Sequence, residues 1–196
     1  MDFVEPRRLV PLRLIGGRGH YEDVVRAVME ARRSVWIATA NLKELMVEDH
    51  RAVPGRRRTA SKTRSYRSVI AVFDELCGRG VELRILHAGL PSRAFRAELQ
   101  RHPRLARGGL AMAACPRVHF KAVVVDGGYL YLGSANWTGA GLGAKGVGRR
   151  NFELGFSTGD DVLLDRVQEL YDHVWRGAAC SGCKLRELCP RPLDNQ

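Results

Sequence analysis

Short β-rich runs alternate with amphipathic stretches along the first half of this 196-residue chain, and a tight hairpin follows. Residues 9–15 form an apolar run closed by Gly16 and Gly17, and Pro11 within it predicts a strand at a sheet edge. Residues 21–32 carry Val24, Val25, Val28 and Met29 at helical spacing, with Glu22 and Asp23 where the helix dipole favours them. Residues 34–40 (SVWIATA) and 81–87 (VELRILH) read as strands. Between them, residues 66–77 read as a helix stopped by Gly78 and Gly80; after them, residues 92–102 read as a short helix. Residues 118–126 and 129–132 read as strands joined through Gly127-Gly128, and 152–157 as another. Residues 160–175 form the clearest amphipathic helix, with Val162, Leu163, Val167, Leu170, Tyr171, Val174 and Trp175 on one broad face. This order predicts an α/β sandwich, a mixed β-sheet flanked by helices on both faces. The organisation expected is one domain over residues 1–176 and a small Cys-rich tail over 177–196.

The chain is strongly basic: 32 Lys and Arg against 21 Asp and Glu give a net charge of +11. A solvated basic surface explains such an excess, as does an acidic partner: nucleic acid, an anionic membrane or a phosphorylated substrate. No apolar run approaches the ~20 residues of a membrane span. The first residues (MDFVEPRR) lack the apolar core of a secretory signal, so a cytoplasmic location is expected. One segment stands apart. Between Asp49 and Asp74 there is no acidic residue, yet Arg51, Arg56, Arg57, Arg58, Lys62, Arg64 and Arg67 crowd there. Residues 50–67 read as a long basic loop, either a contact for phosphates or a solvated linker.

The stretch that carries chemistry is His119-Phe120-Lys121, with Asp126 five residues on. In a strand His119 and Lys121 share a face. The ammonium favours a neutral, nucleophilic imidazole and suits an anionic oxygen beside the attacked atom. Gly133-Ser134-Ala135-Asn136 follows, with Ser134 and Asn136 offering short donors. Asn151-Phe152-Glu153 then brings a carboxylate where it could orient a histidine. Trp137 could stack a base, although packing suits it as well.

H-x-K-x4-D, then G-S-x-N, then N-x-E resembles the signature of the phospholipase D superfamily, in order and spacing, over about residues 8–176. The resemblance implies phosphodiester cleavage by two histidines. One attacks phosphorus to give a phosphohistidine, and a second protonates the leaving oxygen and then activates water. It implies that Lys121, Asn136 and Ser134 hold the non-bridging oxygens, that Glu153 orients a catalytic histidine, and that Asp126 mainly stabilises the strand and turn. It also implies that the chemistry needs no metal. The other histidines (His20, His50, His87, His102, His173) lack the pattern and read as structural or surface residues, His50 and His87 being the nearest exceptions. One motif per chain implies a homodimer in which His119 of each copy meets across a two-fold axis. The branch resembled is that of the short, single-motif nucleases.

Substrate class follows from the surroundings. With no anchor visible and a basic segment at hand, DNA or RNA is the expected substrate, and Arg149 and Arg150 beside Asn151 would add phosphate contacts. A phosphatidyl or cardiolipin hydrolase, and a non-catalytic nucleic-acid-binding module, are the alternatives.

Cys180, Cys183 and Cys189 form a C-x2-C-x5-C-P pattern, a metal-ligand spacing. Strand direction suggests Cys115 as the fourth ligand, because the last helix must return toward the end of the sheet where Cys115 lies. Cys77 reads as an ordinary buried thiol. The spacing resembles the iron–sulfur staple of the RecB-type nucleases. A [4Fe–4S] cluster or zinc fits four cysteines, in a structural role.

Overall fold

The structure, a computed structural model, describes residues 2–49, 65–189 and 191–195. Its centre is a seven-stranded mixed sheet: β1 (Arg13–Gly16), β2 (Ser34–Thr39), β5 (Glu82–His87), β6 (Ala111–Ala114), β7 (Lys121–Val125), β8 (Tyr129–Gly133) and β9 (Leu154–Thr158). Two further strands, β3 (Met46–Asp49) and β4 (Ser65–Ser68), form a separate antiparallel pair. Among the described residues four α-helices accompany these strands: α1 (Arg26–Met29, extending a π-type turn at Tyr21–Val25), α2 (Val69–Gly78), α3 (Arg93–Gln100) and α4 (Asp161–Trp175).

The strand order is β1-β9-β8-β7-β2-β5-β6. β2, β5 and β6 run parallel to one another, and β7, β8, β9 and β1 continue antiparallel from β2. The parallel half needs crossover helices and the antiparallel half only short turns, as the order of elements dictates. β1, just after Pro11, is an edge strand.

Inward residues alternate between two cores. Val35, Ile37, Ile85, Val123 and Tyr131 face α1 and α2, joined by Phe73 and Trp137, whose rings stack at 5.9 Å. Ala38, Leu86, Ala113 and Ala122 face the other way, beneath Tyr171 of α4. Helices on both faces of a mixed sheet is the architecture expected. The small residues of the second face admit the ring of Tyr171, which stacks on Trp36 at 5.2 Å.

Three helices start at side-chain caps, each worth about 0.5–2 kcal/mol. Ser68 accepts from Ile70 N (2.9 Å), Ser92 from Phe95 N (3.2 Å) and Asp160 from Leu163 N (2.9 Å). Ser68 corrects one boundary. The helix expected from residue 66 starts at Val69, because residues 65–68 are extended and paired to β3. β6, of sequence AMAA, carries little strand propensity and was not expected from the sequence; its pairing to β5 makes it a strand. The tail beyond α4 folds back onto the body: Leu193 is buried in the core under Tyr171, and a Cβ at Gly177 (φ 71°) would meet Asp194 N at 2.2 Å.

No helix among the described residues is long and apolar enough to cross a membrane.

Candidate active site

Four neighbouring strands bring their ends to one edge of the sheet. β7 starts at Lys121, opposite Gly133, the last residue of β8. Gly133 stands opposite Gly155 of β9. On the other flank, β2 ends at Thr39, one residue past the Ala38–Ala122 pair. His119 precedes β7, Ser134 and Asn136 follow β8, and Glu153 precedes β9, so the topology gathers all of them at this edge.

His119 lies in the segment before β7 rather than inside a strand, and it is exposed. Lys121 is buried, at 9% exposure. Its Nζ donates to the His119 carbonyl at 2.7 Å and stands 3.4 Å from Nε2 and 3.5 Å from Nδ1 of the same ring. Near-equal distances describe an ammonium beside the ring, not one aligned with a single lone pair. Among the described residues no carboxylate pairs with Lys121. A buried cation without a counter-charge is a ready receptor for a phosphate oxygen.

Asn136 is oriented by its own acceptor. Oδ1 receives Asn41 N at 2.9 Å and lies 3.2 Å from the Thr39 hydroxyl. Among the described residues nothing accepts from its Nδ2 donor pair. Thr39 Oγ1 also accepts Trp137 N at 2.9 Å and reaches Asn41 O at 3.0 Å, so it locks the turn that carries Asn136. Thr39 was not expected as a site residue. It reads as one more buried strand position, and only the β2–β7 pairing brings it beside Lys121. Trp137 is buried against Phe73 and packs in the core rather than presenting a face to a base.

Glu153 accepts from Asn151 Nδ2 at 3.0 Å and from the Ser134 hydroxyl, which in turn accepts Leu154 N at 3.1 Å. The carboxylate thus ties the ends of β8 and β9 together. It makes no hydrogen bond to His119 of the same chain, so the histidine-orienting role expected for it is not seen within one copy. Under this edge a Cβ at Gly155 would meet Tyr131 Cε2 at 2.5 Å, and one at Gly133 would meet Tyr131 Oη at 2.3 Å. Two glycines are required for that ring to lie across the β8–β9 pair. Burial pushes the Tyr131 phenol up to about 12, so it is a neutral wall.

Asp126 departs from the catalytic grouping. It sits past the far end of β7, opposite the end that carries Lys121, in the left-handed region (φ 55°). Its carboxylate accepts the backbone N–H groups of Arg32, Arg33 and Ser34 at 2.6–3.1 Å. Burial raises its pKa, and the donations from Ser34, Arg33 and Arg32 with the charge of Arg33 outweigh this, leaving it below the usual carboxylate range. Its work is to fasten the start of β2 to the β7–β8 turn.

The remaining residues are scattered. Arg149 is exposed in the loop entering β9, and Arg150 Nε donates to Lys145 O at 2.6 Å. Arg56, Arg57, Arg58, Lys62 and Arg64 lie outside the described residues, as does His50. Arg67 is in β4, paired to Glu75 at 2.5 Å. His20 and His87 are buried; His20 Nδ1 meets Gly17 O at 3.2 Å and His87 Nδ1 meets Gly89 O at 2.9 Å. Cys115, Cys180, Cys183 and Cys189 line one cavity, apart from the residues above.

No curated protein matches the sequence. Solved structures do share the fold. Nuc from Salmonella typhimurium, a phospholipase D family member, is 16% identical, with a TM-score of 0.59 over 85% of this chain and 94% of its own. NucT from Helicobacter pylori is 15% identical, with a TM-score of 0.56 over 84% and 94%. TrmBL2, an archaeal chromatin protein with a novel mode of DNA binding, is 13% identical, with a TM-score of 0.51 over 84% of this chain and 52% of its own. The family described as "Cardiolipin synthase, PLD-like domain" matches residues 24–175. With that match covering most of its length, the chain belongs to the phospholipase D-like family.

Proposed function

We propose that this protein is a phosphodiesterase that cuts the backbone of DNA or RNA through a phosphohistidine on His119, with two copies forming the working enzyme. The observation that carries this reading is the pairing of an exposed imidazole with a buried ammonium and an amide donor, neither of which has a counter-charge or acceptor among the described residues. An attacking His119 nitrogen forms a bond to phosphorus as the bond to the leaving oxygen breaks. Lys121 and Asn136 Nδ2 hold the non-bridging oxygens, whose charge rises in the transition state. The leaving oxygen needs a proton, and His119 of a second copy supplies it. That imidazole, now neutral, takes a proton from water as the water oxygen displaces the P–N bond. None of these steps calls on a metal ion.

Nucleic acid is favoured over lipid by the net charge of +11 and the acid-free basic segment. TrmBL2, about half of whose chain shares this fold, is a chromatin protein with a novel mode of DNA binding, and that likeness lends support to nucleic acid. The family description names a cardiolipin synthase, so the test must include lipid. Purified protein with EDTA is incubated with labelled single-stranded DNA, double-stranded DNA, RNA and phosphatidylglycerol–cardiolipin vesicles. Cleavage of a nucleic acid, abolished in His119→Ala, is expected. Cleavage of lipid alone turns the reading to a phospholipid hydrolase. Nucleic-acid binding without cleavage makes it a binding module.

A further inference from the structure

The four cysteines set apart by the sequence are brought to one place by two distant pieces of chain. Cys115 follows β6, held there by its N–H to His87 O at 2.8 Å. Cys180, Cys183 and Cys189 lie in the tail after α4. All four line a cavity of about 20 Å³, room for one water-sized sphere. Cys115, Cys180 and Cys183 also line a larger space of about 240 Å³ beside it, with His173 and Phe120.

The backbone around them turns repeatedly. Cys183 N donates to Cys180 O (3.2 Å), Arg186 N to Cys183 O (3.0 Å) and Cys189 N to Arg186 O (3.2 Å). Val118 N donates to Cys115 O at 2.9 Å in the same manner. Each cysteine therefore stands at a tight turn of the backbone. All five cysteines are free, and these four are half-buried around the shared space. Arg117 and Arg186 line the same cavity, and two guanidiniums suit a site that becomes anionic once thiols ionise. Arg186 is itself held by Asp194 at 2.6 Å.

We propose that Cys115, Cys180, Cys183 and Cys189 hold a structural thiophilic metal centre, a single zinc ion or a [4Fe–4S] cluster, which clips the C-terminal tail to the segment leading to His119. The proposal goes beyond the phosphodiesterase reading and stands without it. No three His, Cys, Asp or Glu side chains among the described residues are grouped to share one ion as they stand. Loading therefore draws the two turns together, and each thiol gives up its proton as its sulfur bonds the metal. Zinc and the cluster present the same four-thiolate chemistry, and the experiment distinguishes them.

The full chain is purified without oxygen and its metal counted by elemental mass spectrometry, alongside its visible absorption. About one zinc per chain with no visible band, or about four irons with a broad visible band, is the expected result. The double variant Cys180→Ser/Cys183→Ser should lose at least nine-tenths of that metal, and Cys77→Ser should keep it. If the double variant does not fold, thiol counting on the unaltered protein decides: removing the metal should expose about four further cysteines to alkylation. Trypsin should then cut the tail at Lys184 or Arg186 at least tenfold faster, with the far-ultraviolet spectrum of the body preserved. Substoichiometric metal, a disulfide between Cys115 and the tail, or full metal retention in the double variant would each overturn the proposal.

Discussion

The Thr39 hydroxyl accepts the N–H of Trp137 at 2.9 Å and stands 3.2 Å from Asn136 Oδ1, so the last residue of β2 fixes the loop that leaves β8. A strand end on one side of β7 thereby sets the direction of an amide needed on the other. Thr39→Val keeps the volume and removes both contacts. We expect kcat to fall about tenfold with KM little changed, and stability to drop by about 1–2 kcal/mol. Thr39→Ser should restore most of kcat. A purely structural role would lower stability while leaving the kcat of the folded fraction intact.

In the proposed mechanism Lys121 and Asn136 act on the charge of the transition state. Lys121→Met and Asn136→Ala should each reduce kcat about 10²–10³-fold, the usual loss when one preorganised donor is removed. Melting temperature should hold or rise in Lys121→Met, since a buried charge without a counter-ion opposes folding. Activity within threefold of the unaltered enzyme would contradict the assignment.

If two copies share one site, activity depends on both imidazoles. Unaltered and His119→Ala chains, co-refolded at equal amounts, should give about a quarter of the activity of the unaltered protein, because only a quarter of random pairs keep both histidines. Retention of half would mean that each chain works alone. Light scattering on the same samples should give twice the 21.8 kDa chain mass.

Burial lowers the pKa of both His20 and His87. The unfolded chain then binds protons at a higher pH than the folded one, so stability is full above about pH 6.5 and declines as pH falls below it. Chemical denaturation at pH 8, 6.5 and 5 should show this decline. His87→Gln should flatten it, and an unchanged slope in both His20→Gln and His87→Gln would refute the origin given.

Asp126 has the opposite consequence at lower pH. Its folded pKa is depressed, so its contribution is present above about pH 4 and is lost as pH falls further. Asp126→Asn should destabilise the protein at pH 7 by about 1–3 kcal/mol while sparing kcat, because the residue fastens Arg32, Arg33 and Ser34 far from His119. A hundredfold loss of kcat in folded Asp126→Asn protein would restore it to the catalytic group.

Much of the fold was legible because periodicity and turn residues are local. The runs around residues 34–40 and 81–87 were readable from their β-branched and apolar residues, the run 118–126 likewise although its strand covers only Lys121–Val125, and α4 from its apolar face. The strand AMAA of β6 and the β3–β4 pair were not, since their pairing partners, rather than their own propensities, make them strands. The start of α2 was misplaced for the same reason: residues 65–68 could continue the helix, but pairing to β3 claims them.

By itself, the sequence determined the chemistry on offer: an imidazole two residues from an ammonium, a following Ser-x-Asn, a carboxylate after Asn151, and cysteines at ligand spacing. Covalent order alone sets those intervals. Tertiary structure decided which of these groups meet. Strand pairing placed Lys121, Gly133 and Gly155 in register and added Thr39, which no local pattern marks. It carried Asp126 to the opposite end of β7, because side chains five residues apart on a strand are separated by about 16 Å. It also brought Cys115 to the same cavity as three cysteines of the tail. Distances along the chain bound what can react, but proximity is settled by hydrogen-bond register and by the packing of helices that carry remote segments back.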